Sequence, residues 1–302
     1  MPRLRLHDLG GLAVSSSRRR SLPIARSCRS VLGYLITHRH RHVTRDELAE
    51  TLWSDHGGHD ARRCLSTALW RLKKTTEPDM PPLLSLCDRN DITLNWTATA
   101  WVDSVALERR IGPLLRVAPQ ALGHAQLIHL ERAIALYRGD FLAGMDGDWA
   151  FVERERIRNL FFDGLYHLTL AYVAASDWNR AIECGRRLSS EEPLREDVHR
   201  LLMSAYASSG NRAMAIAQYR RCQRVLRTDL GVDPMEETEA LFRQLAHSQE
   251  PIITAASPPA RPNLANIRRQ MVHAQRALAS SRQQLDQAIE SLGQTDLRQI
   301  GE

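Results

Sequence analysis

The chain has 302 residues, 43% hydrophobic and 25% charged, the balance of a soluble globular protein with room for two ordinary domains. No apolar run approaches the ~20 residues of a membrane span, and MPRLRLHDLGGLAV lacks the apolar stretch and cleavage site of a secretory signal, so a cytoplasmic protein is expected. The net charge of +6 is uneven: residues 1–74 carry 15 Lys and Arg against 6 Asp and Glu, whereas residues 104–250 carry 19 against 20, which places any contact with phosphate in the N-terminal part.

LRLHDLGGLAV, interrupted by Gly10-Gly11, reads as two short strands joined by a turn. Ser27–Thr37 has Val31, Leu32, Leu35 and Ile36 at helical spacing. Thr44 followed by Glu47 is a capping box, so a second helix starts there and runs to about Trp53 on Leu48, Leu52 and Trp53. SDHGGHD ends it. Asp60 is placed to cap a third helix, Ala61–Thr75, with Leu65, Leu69 and Leu72 as its buried stripe. Beyond Pro78, Pro81 and Pro82, LLSLC-DRND-ITLNW alternates in two arms around a polar turn, the pattern of a β-hairpin.

Residues 104–250 read as helical, with helices expected at 123–138, 149–175, 177–191, 194–209, 211–228 and 235–248. A repeat is visible at an interval of 34: Leu168 with Leu202, Ala171-Tyr172 with Ala205-Tyr206, and Ala181-Ile182 with Ala215-Ile216. That interval is the tetratricopeptide period. PIITAASPPARPN, residues 251–263, reads as a proline-rich linker. After it Leu264, Met271, Leu278, Leu285 and Leu292 recur every seven residues, so 264–292 is expected to be a helix that either pairs as a weak coiled coil or folds back on its own domain.

The order of strand pair, three helices and hairpin resembles the OmpR/PhoB-type winged helix-turn-helix. VTRDELAETLW is similar to that family's second helix, with Trp53 as packing anchor, and ARRCLSTALWRLKK is similar to its recognition helix. The segments Glu191–Cys222 and Leu230–Leu245, with the L-G-V-D-P turn, resemble the bacterial transcriptional activator domain of SARP-type regulators. The expected fold is therefore mainly α. A winged helix-turn-helix over 1–103, with small sheets, precedes a TPR-like domain over 104–250 and a C-terminal helix. The resemblance implies a bacterial, cytoplasmic, sequence-specific transcriptional regulator that acts on double-stranded promoter DNA and recruits RNA polymerase. The polymerase contact would fall to a loop at Ser54–Asp60. It also implies a homodimer or a tandem assembly on direct repeats.

With Leu65, Leu69 and Leu72 buried, the third helix presents Arg63, Thr67, Trp70, Arg71 and Lys74. Arginine bridges guanine O6 and N7, and a threonine methyl touches a thymine methyl. Arg62, Lys73 and the helix N-terminus suit phosphates, as does Arg45 in the preceding helix. Arg89, at the hairpin tip, is placed like a wing residue. Trp70 either packs on sugar or thymine methyls or seals the helix against the hairpin, and sealing is the expectation. Only Lys73 and Lys74 are lysines among 41 basic residues, so arginine abundance alone identifies nothing. The run Arg18–Arg20 falls in a strand–strand loop, and His38, His40 and His42 alternate with Arg39 and Arg41 as a solvated face. No G-x-S-x-G, H-E-x-x-H or G-x-x-x-x-G-K-[ST] occurs, GDFLAGMDGDW lacks the calcium-loop pattern, and the five cysteines form no C-x-x-C. Neither an enzyme nor a cofactor is expected. The alternative of another class is a repeat scaffold whose winged helix binds protein.

Overall fold

The computed structural model describes residues 4–16, 21–76, 83–86, 90–95 and 100–247. The expected linker at 251–263 and the heptad helix at 264–292 lie outside the described residues. The described residues form one compact unit.

Two strands open the fold, β1 (Leu4–His7) and β2 (Ala13–Ser16), paired antiparallel. Their alternation buries Leu4, Leu6 and Val14, and β1 packs on the helix that begins at Asp103. The first helix, α1 (Arg26–Thr37), buries Val31, Leu32, Leu35 and Ile36, the positions its spacing marks. A short strand β3 (Val43–Thr44) leads into α2 (Arg45–Leu52). Thr44 caps α2, its Oγ1 accepting from the Glu47 N–H at 3.1 Å. The reciprocal half of the capping box does not form. The Glu47 carboxylate instead accepts from the Tyr34 hydroxyl at 2.6 Å and from Arg41. Those bonds, Arg41's first, hold the Glu47 carboxyl down at about 2.

The third helix, α3 (Gly58–Thr76), starts before Ala61, so Asp60 lies within its first turn and does not cap it. The connection from α2 is correspondingly short, residues 53–57, where Ser54–Asp60 was expected. The hairpin follows as β4 (Leu84–Leu86) and β5 (Asp91–Leu94), antiparallel in register Leu84 with Leu94, and β5 also pairs with β3. One strand escapes the sequence reading: β6 (Ala100–Val102) returns to lie parallel to β1.

The helical half comprises α4 (Asp103–Leu114), α5 (His124–Ile134), α6 (Phe151–Ala174), α7 (Trp178–Glu191), α8 (Glu196–Ser208), α9 (Arg212–Asp229) and α10 (Glu236–His247). The 34-residue repeat is a structural one. Leu168, Ala171, Tyr172 and Ala181 are buried, as are their counterparts Leu202, Ala205, Tyr206 and Ala215. The helix breaks repeat as well. Ser176 and Gly210 both take the left-handed conformation (φ 57° and 79°). The next amide, of Asp177 or Asn211, donates back to Tyr172 or Tyr206 at 2.9 and 2.8 Å, a Schellman ending in each case. The side chains of Asp177 and Asn211 then accept from the amides of Arg180 and Met214, capping the following helix.

The winged helix and the helical repeats share a core. One cluster of buried side chains runs from Leu4 to Val198 without a break at residue 103. Segment 138–142 lies along β1's exit: the Gly10 N–H donates to Asp140 O at 3.0 Å and the Leu142 N–H to Asp8 O at 2.8 Å. Gly10 and Gly139 make this approach possible. A Cβ on Gly139 would lie 3.1 Å from the Gly10 Cα, and Gly10 itself has φ +87°. The segment GDFLAGMDGDW is therefore a seam: Phe141 and Leu142 are fully buried, and Trp149 packs on Tyr34 with ring centroids 5.2 Å apart.

Two polar clusters reinforce the seam. Asp8 and Asp103 are both completely buried. Asp103 accepts from the Asp8 N–H at 2.7 Å and from Arg138 at 3.0 Å, while Asp8 accepts from the Ser104 N–H at 3.0 Å and the Ser104 hydroxyl at 2.6 Å. Farther along, Arg39 in the turn after α1 donates to Glu153 at 2.6 Å and to Glu108 at 2.8 Å, and Arg156 binds both carboxylates from the other side. No helix among the described residues is long and apolar enough to cross a membrane.

Candidate nucleic-acid interface

The candidate surface is one face of α3. An α-helix advances about 100° per residue. Ala61, Leu65, Ala68 and Leu72 fall on one line and are buried against α1 and α2. Leu69, expected in that stripe, is only half-buried, and Ala68 takes its place. Directly opposite lie Arg63, Thr67, Trp70 and Lys74, separated by four, three and four positions, all exposed. This central stripe extends over about 16 Å, at 1.5 Å per residue.

Arg71 sits beside the stripe, over a cleft lined by Ser27, His56, Arg63, Cys64 and Thr67. Lys73 and Arg62 flank the other side, toward α2. Arg62 donates to Asp46 at 2.7 Å, and Asn90 of the hairpin reaches the same carboxylate at 3.4 Å. Arg45 donates to the Ser66 hydroxyl at 3.1 Å. Both α2-side arginines are therefore engaged with neighbours, Arg62 exposed and Arg45 half-buried. Among the described residues no carboxylate pairs with Arg63, Arg71 or Lys74. Thr67 turns its hydroxyl to Arg63 O at 2.9 Å. The basic last turn, Lys73-Lys74, also suits the negative end of the helix dipole.

Trp70 does not seal the helix against the hairpin. It is 60% exposed, and the Lys74 ammonium stands 5.0 Å from its ring centroid. The hairpin does join the helix-turn-helix at its turn end, where the Arg45 N–H donates to Asn90 O at 2.8 Å. Arg89 and the run Arg18–Arg20 lie outside the described residues.

The His/Arg alternation proves to be structured. His38 stacks on Tyr34 with centroids 4.1 Å apart, Arg39 is the buried bridge of the seam, and Arg41 binds Glu47. No group of three or more His, Cys, Asp or Glu side chains is placed to hold a metal among the described residues. Cys28, Cys64, Cys184 and Cys222 are free thiols. The sequence reading missed Asp8, Arg39, Asp103 and Arg138. Each is a single charge in a chain rich in charges, and its partner lies far along the sequence.

The described residues thus join a winged helix-turn-helix to TPR-like helix pairs. Residues 103–246 match the family model of the bacterial transcriptional activator domain. The chain is 27% identical over 244 residues to the regulatory protein AfsR of Streptomyces coelicolor, covering 80% of this chain and 24% of that protein. It is 26% identical to the transcriptional regulatory protein MoaR1 of Mycobacterium tuberculosis, over 72% of this chain and 71% of that one. It is 28% identical to the transcriptional regulatory protein EmbR of the same organism, over 73% and 58%. The chain thus spans about a quarter of AfsR. The fold matches that of M. tuberculosis EmbR, solved in complex with a low-affinity phosphopeptide, with a TM-score of 0.64, 24% identity and coverage of 83% of this chain and 66% of that one.

Proposed function

We propose that this protein binds duplex DNA at specific promoter sites through α3 and activates transcription there by contacting RNA polymerase. The observation that carries the reading is the central stripe of α3. It is free of acidic residues, lies opposite the buried stripe, and is flanked on both sides by further cations. Such a helix fits the major groove with its centre to the base edges and its flanks to phosphates. On this geometry Arg63, Thr67 and Trp70 meet bases, and Arg62, Arg71, Lys73 and Lys74 meet the backbone or its margin. Arg45 adds a phosphate contact from α2, and Arg89 one from the hairpin.

Binding to genomic fragments, followed by titration on the selected site, tests this. Arg63→Ala is expected to weaken the specific site by about 1–3 kcal/mol and leave non-specific DNA nearly unchanged. Lys73→Ala is expected to weaken all sequences alike and to flatten the salt dependence by about one phosphate contact. Equal, weak affinity for every fragment, unchanged by Arg63→Ala, would instead favour a protein-binding winged helix.

The polymerase contact is assigned to the connection between α2 and α3, where Ser54, Asp55, His56 and Gly57 are all exposed beside the DNA-facing helix. A variant with Ser54, Asp55 and His56 replaced by alanine is expected to bind promoter DNA normally yet lose run-off transcript. Undiminished transcript removes the loop from the mechanism. Assembly as a homodimer or on direct repeats belongs to the same reading, and the mass of the complex on one and on two sites measures it.

A further inference from the structure

We infer that Trp70 is a specificity-determining residue that reads the 5-methyl group of thymine in the major groove, held for that contact by Lys74. The inference deepens the DNA-binding reading above and rests on it.

An indole left 60% exposed on α3 does nothing for the core. The helix is anchored by Ala61, Leu65, Ala68 and Leu72 on its opposite side, and Trp70 lies about 180° from that line. Its neighbours decide what covers it. Arg63 is two turns before it on the same stripe, Thr67 one turn before, and Lys74 one turn after, with no carboxylate among them. A surface so charged repels a basic partner and offers an apolar protein surface only one side chain. Its charge is complementary to a duplex.

Position on the helix then selects the part of the duplex. A residue at the centre of a groove-inserted face meets base edges, whereas phosphates lie to the flanks. The base edges of the major groove carry hydrogen-bond donors and acceptors, and one apolar group, the C5-methyl of thymine. The indole presents two apolar faces and a single N–H donor, and accepts no hydrogen bond. It is therefore mismatched to guanine or adenine edges and matched to a methyl group. The Lys74 ammonium, 5.0 Å from the ring centroid, fixes the indole by a cation–π contact and leaves three N–H donors for the adjacent phosphate. The neighbouring Thr67 hydroxyl is tied to Arg63 O, so that it too offers the groove its methyl.

The test is a double-mutant cycle on the selected site. Each thymine is replaced in turn by deoxyuridine, which deletes the methyl and keeps the base pair. Affinity is measured by fluorescence anisotropy for the unaltered protein, Trp70→Ala and Trp70→Phe, with circular dichroism confirming that helix content is kept. At one or two thymines the unaltered protein is expected to lose about fourfold in affinity, the ~0.8 kcal/mol of one buried methyl-sized group. The same replacements should leave Trp70→Ala unaffected and Trp70→Phe partly affected. Equal deoxyuridine effects in the unaltered protein and in Trp70→Ala at every thymine overturn this inference while the DNA reading stands. Failure of the unaltered protein to bind any duplex overturns both.

Discussion

Replacing Arg39 with alanine is expected to lower the unfolding free energy by about 2–3 kcal/mol, measured by urea denaturation at neutral pH. The side chain is only 6% exposed and satisfies two carboxylates at once, Glu108 and Glu153, across the seam. Breaking a buried ion pair from one side costs about 3–5 kcal/mol. The lower figure applies because Glu108 is about one-third exposed and Arg156 remains on both acids. Arg39→Lys should fall between, since an ammonium is a point charge and cannot fork across two carboxylates. The pH dependence has a definite sign. Burial pushes both carboxyls up, but the Arg156 and Arg39 guanidiniums outweigh it and hold Glu108 and Glu153 below the usual range. Their contribution is present above the unfolded value, about 4.3, and is lost as pH falls through the folded values. Arg39→Ala should therefore show a shallower loss of stability in acid.

The second large effect is expected at Asp8, with the sign reversed. Burial, and then the adjacent Asp103 carboxylate, push the Asp8 carboxyl well above its ordinary value. Its contribution to stability is complete below the unfolded value, about 3.9, and declines as pH rises toward the folded one. Asp8→Asn keeps the shape and an oxygen acceptor and removes the ionisation. It should abolish this decline and cost under about 1 kcal/mol at low pH. Asp8→Ala strips the partner from the Ser104 amide and hydroxyl, both buried at the start of α4. An unsatisfied buried donor costs about 1–3 kcal/mol, so this variant should lose about 2–4 kcal/mol. Urea titrations of the three proteins between pH 3 and pH 8 separate these outcomes. An alanine variant no less stable than the asparagine one would show that water replaces the carboxylate.

Much of this fold is legible in the sequence because it is written in short-range periods. The stripes of α1 and α3 repeat within a turn or two. The helix pairs repeat at 34 residues down to their caps, Asp177 and Asn211. The exposed stripe of α3 follows from the same arithmetic, as does its flanking by cations. What escaped depends on distant partners. Strand β6 is three residues long and exists because β1 lies beside it. In α4, Gly112-Pro113 near the end disguises a helix that packs on α5 and α6. Half of the Thr44–Glu47 capping box failed because Arg41 and Tyr34 outbid the backbone for the carboxylate. Arg39 looked like one more surface arginine in a His/Arg run, and only its two partners, at 108 and 153, reveal the buried bridge. Trp70 was expected to be covered because indoles usually are. Nothing local announces that the fold leaves it open.

The shared core gives the seam a meaning beyond stability. Two modules on a flexible tether would have to be frozen relative to each other whenever both engaged a target, and that ordering entropy would subtract from affinity. Here the stack of helix pairs is already fixed to α3, the helix proposed above to bind DNA, before any duplex arrives. Once α3 is seated in a groove, the azimuth and tilt of the repeats about the duplex axis are determined with it. On the proposed function, the bound site works as a mount: its base sequence sets not only where the protein sits but which way the helical repeats face.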